Sequence, residues 1–271
     1  MIFFVFLNFR VFVINDLSLF RFARKLLMDN DEPIVKPVRG KNSPQLGPVA
    51  VMAAPKPDLQ PLAASLGMEN TKPAPLFTGN LFAGDGPAAG YSLAGPFLGS
   101  PHAAMLMEVL ASRGAEKVIF QGWCGSLNAG VRIGDIVVPT GGIVDEGTSP
   151  HYGVGAGEIS RPSEALRNAL CGVLHDEALP FHEGVVWTTD GAFRETPAKV
   201  ACYQRKKALA VEMEMSCIFS VAASLGIDAG GLLVVSDELF AMQWKPGFKS
   251  EAFKRGRMSA AGVVGKLCKL L

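Results

Sequence analysis

Val211-Glu212-Met213-Glu214, then residues 215–226, then Leu232-Leu233-Val234-Val235-Ser236-Asp237 read in succession as strand, helix and strand. Within the middle segment Ile218, Val221, Ala222 and Leu225 form an apolar stripe at helical spacing, and Gly226 offers a C-cap. Such a crossover returns Glu214 and Asp237 to the same carboxyl edge of a parallel sheet, where open α/β folds place their ligands. Two acids converging on one crevice point to chemistry on a sugar or a base. The same positions also suit helix caps and solvated strand ends, and this stretch alone leaves both readings open.

Outward from there the alternation continues. Strand-like runs occupy residues 49–53, 117–120, 136–139, 143–145 and 185–189. Helical patterns occupy residues 58–66, 101–113, 163–177, 196–207 and 250–270, and residues 76–95 read as strands and turns. The expected fold is an α/β domain with a largely parallel sheet covered on both faces. A hydrophobic fraction of 49% in 271 residues supports a sizeable core. The net charge of +1 gives no broad field for nucleic acid or a membrane surface. Five dispersed cysteines without a C-x-x-C pair argue against a disulfide framework and for a reducing cytoplasm. Four histidines without a metal-ligand spacing argue against a metal centre.

Residues 1–27 differ in kind. They are apolar and Phe-rich, but Asn8, Arg10, Asn15 and Asp16 interrupt them too often for a stable membrane span. They read as a peripheral segment, or as an extension upstream of a start at Met28. Residues 28–47 read as an exposed lead-in, and residues 48–271 as the catalytic domain.

Three blocks carry a family likeness: Phe120-Gln121-Gly122-Trp123-Cys124-Gly125-Ser126-Leu127, Ile133-Gly134-Asp135-Ile136-Val137-Val138-Pro139-Thr140 and Asp145-Glu146-Gly147-Thr148-Ser149. With Gly95-Pro96-Phe97-Leu98-Gly99-Ser100 before them and the Glu214 and Asp237 segments after, they resemble the nucleoside phosphorylase family. That family holds purine nucleoside phosphorylases, uridine phosphorylases and nucleosidases. The resemblance implies a three-layer sandwich, in which helices flank a largely parallel, twisted mixed central sheet. It also implies cleavage of the N-glycosidic bond of a small-molecule nucleoside by a homo-oligomer (dimer, trimer or hexamer). No cofactor is implied beyond inorganic phosphate as co-substrate.

By the same resemblance, Glu214 would accept hydrogen bonds from the ribose 2′- and 3′-hydroxyls, with Glu212 beside it and Met213 packing on the sugar. Asp237, next to Ser236, would be the general acid at N7 of a departing purine. Phe193 would stack on the base, with Arg194 adjacent. Gly122, Trp123 and Cys124 would line the substrate side of the signature. Cys124 has no neighbouring His and reads as packing rather than as a nucleophile. The Ser-Asp pair favours a purine-type base, with uridine still open.

The likeness breaks at the phosphate site. Asp58 of Ala53-Ala54-Pro55-Lys56-Pro57-Asp58 falls where the family's phosphate loop carries an Arg. Phe120 stands at a second Arg position, and Trp123 replaces a Ser or Thr. An acid in an anion pocket costs roughly 4 kcal/mol at about 4 Å and an effective dielectric of about 20. Lys56 and the backbone amide of Gly99 are the candidates to replace the missing grip. Alternatively, Asp58 activates water as nucleosidases do, or it simply caps the following helix. Phosphorolysis therefore ranks narrowly ahead of hydrolysis, and a non-catalytic nucleoside-binding homologue stands third.

Overall fold

The computed structural model describes residues 3–7, 10–14, 33–38, 40 and 43–271. Two compact units emerge, residues 1–38 and 39–271. In the first, β1 (Phe3–Leu7) and β2 (Arg10–Ile14) pair antiparallel as a hairpin, with Phe3 opposite Ile14. The expectation for residues 15–32 lies outside the described residues.

The second unit is a mixed sheet between helices. Its strands are β3 (Val49–Ala53), β4 (Ala74–Leu76), β5 (Gly79–Ala83), β6 (Tyr91–Gly95), β7 (Lys117–Ser126), β8 (Ile136–Asp145), β9 (Ile159–Ser160), β10 (Phe181–Thr189), β11 (Ala210–Glu212), β12 (Asp228–Glu238) and β13 (Lys245–Pro246). Its helices are α1 (Leu59–Ser65), α2 (Ser100–Ser112), α3 (Glu164–Asp176), α4 (Pro197–Arg205), α5 (Met215–Leu225) and α6 (Glu251–Leu270). The strand order is β13-β12-β8-β10-β11-β7-β3-β6-β5-β4, and β12 also pairs with β7. That extra pairing closes β12, β8, β10, β11 and β7 into a ring.

Two cores lie on opposite faces of the sheet. Met107 and Leu110 of α2 join Ile218 and Phe219 of α5 on one face. Leu62 of α1, Leu170 of α3 and Val264 of α6 join on the other. This is the three-layer α/β arrangement. Residues 215–222 of α5 are all buried, as befits a helix apolar on every side. Gly226 ends it in the left-handed region at φ 68°, where lack of a Cβ removes the steric penalty. Ser163, Thr196 and Ser250 cap α3, α4 and α6 through their hydroxyl oxygens.

Three local expectations are corrected. The runs at 136–139 and 143–145 are one strand, β8, continuous through Gly141 and Gly142. The strand-like run at 117–120 continues through the signature to residue 126 as β7. Most consequentially, β11 and β12 are not a parallel pair linked by a crossover. β12 runs parallel to β7 whereas β11 runs antiparallel to it. The acids converge because β7 is flanked at its carboxyl end by strands of opposite direction.

Gly142 shows what the close packing demands. A Cβ there would lie 2.6 Å from both Cα and N of Ser216, the backbone that opens α5. Gly142→Ala is expected to cost about 1–3 kcal/mol through overpacking. Thermal melting checks this, and an unchanged midpoint would contradict the tight approach.

Candidate active site

The entrance to α5 is built by a carboxylate, that of Glu212. Glu212 Oε2 accepts the backbone N–H groups of Glu214 and Met215, both at 2.7 Å. Its Oε1 accepts the Thr188 hydroxyl at 2.5 Å, and Thr188 Oγ1 in turn accepts Ser216 N–H at 2.9 Å. Helix N-termini leave their first N–H groups unpaired, so a carboxylate here satisfies two of them and meets the positive end of the dipole. Both oxygens of Glu212 are thus engaged within the protein, and it shapes the turn that presents Glu214.

Glu214 is buried, and its Oε1 accepts Gly99 N–H at 2.6 Å. One residue on, Ser100 Oγ donates to Met213 O at 2.8 Å. These bonds tie the turn before α2 to the turn before α5. They also correct the expectation for Gly99, whose amide is spent on Glu214 and not open to phosphate. Burial raises the pKa of both Glu212 and Glu214. Backbone donors on each carboxyl, with the Thr188 hydroxyl on Glu212, work against that rise. Met213 is half-buried beside them.

Across β7 stands the second acid. Val211 of β11, Gly125 of β7 and Asp237 of β12 are partners in one row of the sheet. Gly125 leaves no room for a side chain: a Cβ would meet Leu239 Cδ1 at 2.4 Å and Asp237 Oδ2 at 3.1 Å. A register shift between Val235 and Asp237 marks a bulge at Ser236. Ser236 Oγ lies 2.6 Å from Asp237 Oδ1 and 3.2 Å from Cys124 O, and Trp244 Nε1 donates to Asp237 Oδ2 at 2.9 Å. Cys124 is buried, and burial, then the charges of Asp237 and Glu212, push its thiol far up. Both effects disfavour its thiolate. Because its thiol feels both Asp237 and Glu212, the two acidic centres share one neighbourhood. Gly122 is buried in β7 alongside.

At the position of the missing phosphate Arg, the structure answers the question about Asp58 differently from either expectation. Asp58 is 0% exposed and makes no cap hydrogen bond to α1. Its Oδ2 accepts Trp123 Nε1–H at 2.8 Å, and its Oδ1 accepts Arg257 Nε–H at 2.5 Å. The Arg257 guanidinium also lies 5.3 Å from the centre of the Trp123 ring, which itself packs edge-on to Phe253 at 4.9 Å. Thus Asp58 neither caps a helix nor stands free to activate water, and Arg257 of α6 cancels the charge reversal. Lys56 is exposed nearby. Removing one partner of a buried pair strands the other, so Asp58→Ala should cost about 3–5 kcal/mol, with Asp58→Leu/Arg257→Met recovering most of it. Chemical denaturation checks both, and a single variant as stable as wild type would contradict the pairing.

The loop after β10 also departs from expectation. Phe193 is fully exposed and Arg194 is exposed with it, so neither stacks on or contacts the acids. Glu195 of that loop is half-buried, and burial raises its carboxyl to about 7, with the charge of Asp237 adding to the effect. Arg257, Glu195, Trp244 and Thr188 were all missed in the sequence. Only Arg257 left a trace there, a cation four residues after Phe253 on an otherwise apolar helix face. Among the described residues no group of three or more His, Cys, Asp or Glu could hold a metal ion. None of the described helices is long and apolar enough to cross a membrane.

Residues 48–269 match the family model of the phosphorylase superfamily. A guanosine phosphorylase from Halorubrum lacusprofundi is 33% identical over 144 residues, covering 53% of this chain and 59% of the relative. The match thus spans about three fifths of that curated relative's length. Uridine phosphorylase from Vibrio fischeri ES114 superposes with a TM-score of 0.73 at 21% identity, over 88% of this chain and 99% of its own. The 5′-methylthioadenosine/S-adenosylhomocysteine nucleosidase of Helicobacter pylori superposes with a TM-score of 0.65 at 20% identity, over 83% of this chain and 97% of its own. At such identities the two structures establish the fold alone.

Proposed function

The chain belongs to the phosphorylase superfamily, and from that premise we propose that it cleaves the N-glycosidic bond of a purine-type nucleoside and transfers the pentosyl group to phosphate. One observation carries the reading. Glu214 is buried and aimed by Gly99 and Glu212, and Asp237 stands across the Gly125 gap from the strand that leads to it.

Bond breaking leaves an oxocarbenium-like sugar, which rigid holding and nearby negative charge favour. In this proposal Glu214 accepts the 2′- and 3′-hydroxyls of the ribose, and Met213 covers its apolar face. Asp237 serves the purine N7 as the leaving-group acid. Arg257 gives Asp58 its Nε–H, and a guanidinium carries further N–H donors, which are the cation available to an acceptor phosphate. The relative named guanosine phosphorylase and the Ser236-Asp237 pair both support a purine-type base. A homo-oligomer working without a cofactor in a reducing cytoplasm completes the proposal.

A second reading, hydrolysis, is favoured by a specific feature. Trp123 fills a position where the family carries a Ser or Thr, and Asp58 holds the nearest Arg. The two readings separate in one experiment. The protein is incubated with guanosine, inosine, adenosine, methylthioadenosine and uridine, with and without phosphate, and base release is followed. Phosphate-dependent release of a purine is the expected result. Release without phosphate would establish hydrolysis, and binding without release from any of them would overturn the enzymatic reading.

A further inference from the structure

One aromatic side chain touches the leaving-group acid and has no role in the reading above. Trp244 Nε1 donates to Asp237 Oδ2 at 2.9 Å, and the residue is 64% exposed. The segment that carries it is anchored at both ends. Leu239 N–H donates to Ser126 O at 2.8 Å on one side, and on the other Lys245 and Pro246 pair antiparallel with Glu238 and Asp237. Gly247 N–H adds a bond to Ser236 O at 2.8 Å. Between the anchors Phe240 O accepts from Gln204 Nε2 at 3.0 Å, and Met242 is held at φ 57° with its N–H on Leu239 O. A non-glycine kept in the left-handed region marks a turn whose course its surroundings impose. That turn brings Trp244 back to Asp237.

The indole has a single donor, and Asp237 takes it. What remains is aromatic surface. Phe248 backs it at 6.4 Å between ring centres, and Phe248 in turn meets Trp123 at 6.0 Å. Trp123 gives its own N–H to Asp58. A strip of three rings thus runs from the leaving-group acid to the place of the missing phosphate Arg, with an indole bonded to a carboxylate at each end. Exposed aromatic surface beside a polar anchor suits a flat ligand with polar edges. Phe193, the ring that the family likeness offered for stacking, is fully exposed on the loop after β10.

We propose that Trp244 is the base-stacking and specificity-determining residue of the site, its indole face covering the purine whose N7 meets Asp237. This rests on the nucleoside-cleaving reading. A carboxyl group has room for a partner beyond Ser236 and Trp244, so a base bonded to Asp237 becomes a neighbour of the indole bonded to the same group. Stacking tolerates every base, but a bicyclic purine covers more of the indole than a single-ring pyrimidine does. The larger area removed from water favours the purine. The bond to Asp237 already fixes the ring, so little side-chain freedom is lost when the base arrives.

Guanosine binding and cleavage test this. Of the three tryptophans, Trp187 is fully buried and Trp123 half-buried, which leaves Trp244 as the one open to solvent. Guanosine should quench the indole fluorescence of the wild type, and Trp244→Phe should bind guanosine in calorimetry with most of that quench gone. Trp244→Leu should raise KM for guanosine by about 10–100-fold with a smaller change in kcat, whereas Trp244→Phe, which keeps a ring without the N–H, should stay within about threefold in KM. An unchanged KM in Trp244→Leu overturns the proposal. So does an equal rise in both variants, which would assign Trp244 to holding Asp237 by its N–H alone. Wild-type cleavage of guanosine without any quench also overturns it, while leaving the nucleoside-cleaving reading standing. A wild-type protein that neither binds nor cleaves any purine nucleoside would sink both together.

Discussion

Replacing Glu214 with alanine should lower kcat/KM for a ribonucleoside by about 10²–10⁴-fold. Each hydrogen bond from a hydroxyl to a charged acceptor contributes about 1.5–3 kcal/mol, two are lost, and about 1.4 kcal/mol is a tenfold change. The loss should shrink on the 2′-deoxynucleoside, which has only one of the two hydroxyls to offer. An equal loss on both substrates would deny the clamp and leave Glu214 a structural residue. A pH dependence accompanies this. Glu214 accepts hydroxyl protons only when ionised, and burial raises its pKa. An acid ionises above its pKa, so kcat/KM should rise with pH along a limb displaced above the ordinary carboxylate range. Glu214→Gln should flatten that limb, and a flat wild-type profile would contradict the assignment.

Asp237→Asn should reduce purine release by about 10²–10⁴-fold, the range by which a positioned acid speeds proton transfer. Asn keeps the shape but cannot pass a proton, and its amide NH₂ must face one of the two donors now held by Asp237, Ser236 Oγ and Trp244 Nε1. The decrease should fall mainly on kcat, because the proton is needed as the bond breaks rather than on binding. Pre-steady-state release of base from guanosine measures it directly. Wild-type rates from Asp237→Asn would remove it from the chemistry altogether.

Much of the fold was legible because it is written locally. The apolar stripe from Ile218 to Leu225, the glycine stop at Gly226 and the caps at Ser163 and Ser250 depend on neighbours a few residues away, and each stands where periodicity put it. Strand direction was not legible. A three-residue strand such as β11 carries no mark of whether β7 will receive it parallel or antiparallel, because that choice is made by backbone pairing over long sequence separations. The same limit explains Phe193 and Glu195. A loop's composition does not say which of its side chains is the more buried.

The family motifs identified Glu214 and Asp237 as the acids to watch, and the sheet brings Asp237 into one row with Val211, three residues before Glu214. What only tertiary structure decided was the state of the groups around them. Asp58 lies 199 residues from Arg257 in sequence, and no local pattern announces that they share a hydrogen bond. Glu212 and Glu214 look interchangeable in Val211-Glu212-Met213-Glu214, yet one accepts the N–H groups of the helix N-terminus and the other a single N–H from Gly99. A carboxylate's chemistry is set by its donors, its burial and its nearest charge. All three arise from residues distant in the chain, so sequence supplied the acids and the folded sheet set their surroundings.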